Sequence, residues 1–193
     1  MLKGYFIQYK FIVPETIKHS SYTYQKLFRA LYGYTQNVTK SNGKTYHYFR
    51  KGILSDIPYI RPGKNCVIIP PKSFSALDSF FKTGKNPTHY WRSKGDWKAV
   101  FYFDEKNLDE SQVIGAVKGQ ISRAFTEKAE NLPAVNIDAI AEKTKKGEKL
   151  AEEKVALAVN EAEKIVSSSW FKEVYSQDAS LKNFYENYKT IKK

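Results

Sequence analysis

The chain has 193 residues, 41% hydrophobic and 15% aromatic, with 32 Lys and Arg against 20 Asp and Glu and a net charge of +12. That length supports one domain, or one domain with a helical appendage, and can bury a substantial core. A single cysteine, Cys66, excludes a disulfide framework and a Cys-rich zinc site, no apolar run approaches the ~20 residues of a membrane span, and no secretory signal opens the chain, so a reducing, cytoplasmic setting is expected.

The charge is unevenly placed. Residues 1–103 hold 13 Lys and 4 Arg against Glu15, Asp56, Asp78 and Asp96, a net +13, whereas residues 104–193 carry a net −1. Before residue 104 also lie 22 of the 29 aromatic residues and all three histidines, His19, His47 and His89. A merely solubilising lysine shell would spread over both halves. A cationic, aromatic half instead suits a surface that follows a phosphate backbone and stacks bases. The expected organisation is a basic α+β nucleic-acid-binding domain over 1–103 and a helical region over 104–193 that braces or dimerises it.

In chain order, Gly4–Val13 is rich in β-branched and aromatic residues and stops at Pro14, which predicts a central strand. Tyr22–Tyr32 follows two serines able to cap it, ends at Gly33, and places Tyr24, Leu27, Phe28 and Leu31 on one helical stripe. Asn42-Gly43 marks a hairpin. Asn65–Ile69 is a short apolar strand, and Pro70-Pro71 leads into a helix over Ser73–Lys82 with Gly84 as its stop. A second, weaker hairpin is predicted across Ser93-Lys94-Gly95-Asp96. Beyond Asp104, helices are expected over Ser111–Glu130, broken at Asn131-Leu132-Pro133; from Asn136 to Gly147; over Glu148–Ser167; and over Leu181–Ile191. The fold class is thus α+β, with a twisted, mostly antiparallel sheet and packed helices followed by a helical C-terminal region.

Hairpin register decides which residues share a surface. With Asn42-Gly43 as a two-residue turn, Thr39 pairs with Tyr46, Asn37 with Tyr48 and Thr35 with Arg50. One face then carries Lys44, Tyr46, Tyr48 and Arg50, two tyrosines between cations, suited to stacking bases beside phosphates. The other carries Tyr34, Val38, His47 and Phe49 as a core face, with His47 buried opposite Val38. In the second hairpin Trp97 would cross from Arg92, while Trp91, Lys98 and Tyr102 form another stacking surface. Two basic loops, Arg50-Lys51-Gly52 and Arg61-Pro62-Gly63-Lys64, add cations beside glycines that let backbone amides approach phosphate, and Lys94 adds another at a turn. The candidate nucleic-acid contacts are Lys44, Tyr46, Tyr48, Arg50, Lys51, Arg61, Lys64, Trp91, Arg92, Lys94 and Lys98.

Catalysis finds little support. The basic half has four scattered acids, no metal-ligand spacing and no nucleophile elbow, and Cys66 reads as core. No catalytic residue, metal or cofactor is therefore assigned. The function expected is binding of single strands, with DNA placed slightly ahead of RNA. The alternatives are a metal-independent nuclease using His89, Tyr90 and Lys98, or His47 and Lys40, and a basic scaffold docking on a ribonucleoprotein or acidic protein. In the long C-terminal helix Ala151, Val155, Ala158, Ala162, Ile165 and Ser169 form a small-residue seam. It offers either a homodimer interface or a seat on the domain.

Overall fold

The computed structural model describes residues 1–88, 97–126 and 136–192. The order is β1 (Leu2–Ile12), α1 (Tyr22–Tyr32), β2 (Tyr34–Thr39), β3 (Thr45–Arg50), β4 (Cys66–Ile69), α2 (Phe74–Thr83), β5 (Lys98–Leu108), α3 (Glu110–Thr126), α4 (Ile137–Lys145), α5 (Glu152–Val166), α6 (Ser169–Val174) and α7 (Ala179–Lys192). The fold is α+β. Both sheets are antiparallel: one has the order β4-β1-β5, and the other is the β2-β3 hairpin.

Period-two alternation makes β1 a two-sided central strand. Ile7, Tyr9 and Phe11 point to one face, where they pack with Leu27 and Leu31 of α1 and Leu77, Phe80 and Phe81 of α2. Leu2 and Phe6 point to the other, joining Ile68, Leu108 and the helices α3 to α7 in a second core. Gly4 lies on that second face, and a side chain there would meet Ile68, Leu108 and Trp170 at 3.0 Å or less. Trp170 is fully buried and its indole Nε1 donates to the Lys3 carbonyl at 2.9 Å. The strand is the shared wall of both cores.

Local signals explain the well-placed helices. Ser21 Oγ accepts from the Tyr24 amide at 3.3 Å and Gly33 N donates to the Arg29 carbonyl, so α1 has the predicted bounds. Asn136 caps α4 by accepting from the amides of Asp138 and Ala139. Gly84 and Gly147, both at positive φ, follow α2 and α4. The long helix starts at Glu152 rather than Glu148, and α6 has no counterpart in the sequence reading. Strand β5 runs through residue 104, so the compositional boundary falls inside an element. The Ala158, Ala162 and Ile165 part of the seam is buried in the second core, seated against this chain's own helices. Among the described residues no helix is long and apolar enough to cross a membrane. The predicted partner strand at His89–Arg92, the Ser93–Asp96 turn and the break at Asn131-Leu132-Pro133 lie outside the described residues.

Candidate nucleic-acid interface

The hairpin turn is one residue longer than the Asn-Gly pair implies. Gly43 N donates to the Lys40 carbonyl at 2.9 Å, Lys40 N donates to the Lys44 carbonyl at 3.0 Å, and Gly43 sits at φ +74°. This is a three-residue loop, a tight turn followed by a left-handed glycine bulge. The Asn42 side chain accepts from Lys44 N and holds it closed. The pairing therefore corrects the predicted register by one residue: Val38 faces Tyr46, Gln36 faces Tyr48 and Tyr34 faces Arg50. Such a slip moves every partner to the opposite face.

The tyrosine row survives the slip because it belongs to one strand. Tyr46 and Tyr48 lie with their rings 11° from parallel and 6.4 Å between centroids. Lys40 Nζ stands 4.7 Å from the Tyr46 centroid, Lys44 is exposed at the turn, and Arg50 Nε donates to Gln36 Oε1 at 3.1 Å. On the same face the Arg29 guanidinium covers the Tyr34 ring at 4.7 Å. Tyr34, Val38, Tyr46, Tyr48 and Phe49 belong to neither hydrophobic core. The expected core face is thus corrected as well. His47 is exposed, opposite Asn37, with Nδ1 2.7 Å from Asn37 Oδ1. Because Lys40 covers Tyr46 while His47 projects from the other face, the pairing of His47 with Lys40 for acid–base work is not assembled.

The basic loops part company. Lys51 is committed to an ion cluster, 2.9 Å from Asp56 and 2.7 Å from Glu161, which Lys164 joins from α5. Burial disfavours its charge, but the hydrogen bonds to Glu161 and Asp56 outweigh that and raise its pKa. Arg61 lays its guanidinium 4.4 Å over Tyr32, whose hydroxyl meets that of Tyr9 at 2.9 Å. Burial raises the pKa of both phenols, so they stay neutral. Lys64 is exposed beside β1, and Lys98 is exposed on β5, opposite Ile12. Cys66, expected as core, is half-buried opposite Gln8. Trp91, Arg92 and Lys94, like His89 and Tyr90, lie outside the described residues. Trp97 sits in the first core, edge-on to Phe11.

No family model, curated protein or solved structure is significantly similar to this chain. The site is therefore read from its own chemistry: cations and flat, accessible rings on a hairpin that no core requires. The stacking surface expected around Lys98 and Tyr102 extends onto β1, which was also legible in the sequence. Gln8 and Lys10 alternate with Ile7, Tyr9 and Phe11, which puts two polar side chains on the face away from the first core, and Tyr102 pairs with Gln8 there.

Proposed function

We propose that this protein binds single-stranded nucleic acid, without catalysis, through the tyrosine face of the β2–β3 hairpin. The observation that carries this reading is the near-parallel pair Tyr46 and Tyr48, outside both cores and flanked by Lys40 and Lys44. Rings held on a strand at that spacing offer successive bases a π-face, while the ammonium groups meet the phosphates between them. Duplex DNA hides its base faces, so this chemistry selects unpaired strands. Asp56, the only acid in the 34–64 segment, is paired with Lys51.

The test is fluorescence anisotropy with labelled single- and double-stranded DNA and RNA in EDTA over a salt series. Single strands should bind in preference to duplex, and the DNA and RNA arms decide between the two. Changing Tyr46 and Tyr48 together to alanine should weaken binding about thirty-fold or more, since each stacked base contributes ~1–3 kcal/mol. Lys40→Gln with Lys44→Gln should reduce the slope of log K against log salt by about 1.4. Absence of binding to all four nucleic acids at low salt overturns the reading and directs the search to an acidic protein partner.

A further inference from the structure

The helical layer covers only one end of its sheet face. From Leu2 to Phe6 that face is packed by the second core; from Gln8 to Ile12, among the described residues, it is bare. Across the strands the bare rows are Cys66-Gln8-Tyr102, Lys10-Val100 and Ile12-Lys98. Tyr102 is 62% exposed, Val100 50% and Ile12 45%. Of these, Gln8, Lys10, Val100 and Tyr102 line a groove of about 650 Å³, a volume within the range of ~300–1,000 Å³ common for ligand sites. The turn carrying Lys64 and Asn65 borders it, as does His19, which stacks on Tyr24 at 4.5 Å.

Among the described residues no carboxylate lines the groove, while Lys10 and Lys64 do. Asp104, two residues along β5 from Tyr102, is held by Lys106 at 2.9 Å, which lowers its pKa and neutralises it locally. An occupant must therefore be anionic and must also have something to lay on an exposed phenol ring. Gln8 and Asn65 supply amides that can both donate and accept, as the edge of a base requires. A nucleotide meets all three in one unit, with a phosphate for the lysines, an aromatic base for the ring and a donor–acceptor edge for the amides.

We propose that this groove is a second contact site for the same single strand, taking a nucleotide with its base on Tyr102 and its phosphate between Lys10 and Lys64. The inference rests on the nucleic-acid reading and extends it from the hairpin to the main sheet. A strand engaging both surfaces gains affinity through effective concentration beyond what either provides.

Photochemical cross-linking separates the two surfaces. The full chain is irradiated with a short oligothymidylate carrying 5-iodouracil and digested with trypsin, which releases residues 45–50 of β3 and 99–106 of β5 as separate peptides. Adducts are expected on both. Tyr102→Ala should abolish the 99–106 adduct and weaken binding about five-fold or more. The double change at Tyr46 and Tyr48 should leave that adduct in place. Tyr102 is exposed, so its variant should fold, which circular dichroism verifies, and Lys10→Gln provides an independent loss of affinity at a second position. Adducts on 45–50 with none on 99–106, and unchanged affinity for both groove variants, overturn the groove and leave the hairpin reading standing. Failure of the wild-type chain to bind the oligonucleotide removes both.

Discussion

Replacing Trp170 by alanine tests whether the basic half and the helical half fold as one unit. Trp170 is fully buried on α6, yet its indole donates to the Lys3 carbonyl on β1 and its ring closes over Gly4. Loss of a buried tryptophan side chain costs ~3–5 kcal/mol, and the lost hydrogen bond adds about 1 kcal/mol, so a loss of about 4–6 kcal/mol is expected. With a urea m-value near 2 kcal/mol/M for a chain of this size, the unfolding midpoint should fall by about 2–3 M. Two probes report on different halves. Far-UV circular dichroism is dominated by α3 to α7, whereas the fluorescence left in the variant comes from Trp91 and Trp97, the latter buried in the first core. Because β1 walls both cores, the two transitions should move together. If the helical signal shifts while fluorescence keeps its original midpoint, the halves are independent and the shared-wall argument is wrong. Trp170→Phe, which keeps most of the volume, should shift both transitions by less than half as much.

Two further predictions follow from close approaches and buried phenols. Gly52 lies against the end of α1, where a Cβ would stand 2.3 Å from Gly33 N and 2.7 Å from the Leu31 carbonyl oxygen, so Gly52→Ala should cost at least about 3 kcal/mol. Gly63, with open space around it, should accept alanine within about 0.5 kcal/mol; equal effects in urea unfolding would contradict the packing described. The Tyr9 and Tyr32 hydroxyls hold their protons more tightly when folded, chiefly through burial, so the unfolded chain releases protons first as pH passes about 10. Stability should be flat with respect to these groups below that pH and fall above it, and changing both to phenylalanine should flatten the fall; an unchanged alkaline slope would refute the assignment.

Much of the candidate site was legible because its signals are local. The cation-rich first half, the strand carrying Tyr46 and Tyr48, and the Asn-Gly turn all follow from residues within a few positions of one another, as do α1 between Ser21 and Gly33 and the start of α4 at Asn136. Side-chain alternation along β3 places its tyrosines on one face whatever strand lies opposite. Register was not legible. Asn42-Gly43 is compatible with a two- or a three-residue loop, and the choice rests on which backbone groups bond across the turn, here Gly43 N to Lys40 O. That single residue exchanged His47's expected partner Val38 for Asn37, while the exposure of His47 follows from its hairpin face packing on neither core.

The sequence by itself determined the α+β class, the central position of β1 and the concentration of cations and rings in the first 103 residues, because composition and periodicity act through neighbours along the chain. The tertiary structure decided which of those cations are committed and which faces are covered. Lys51 meets Glu161 from 110 residues away, and Lys3 offers its carbonyl to a tryptophan 167 residues later. Among the described residues the helical layer stops at Phe6, and the sheet face beyond it is exposed. Such pairings join segments remote in sequence, where no local preference carries information and only the packed arrangement of the chain brings the groups together.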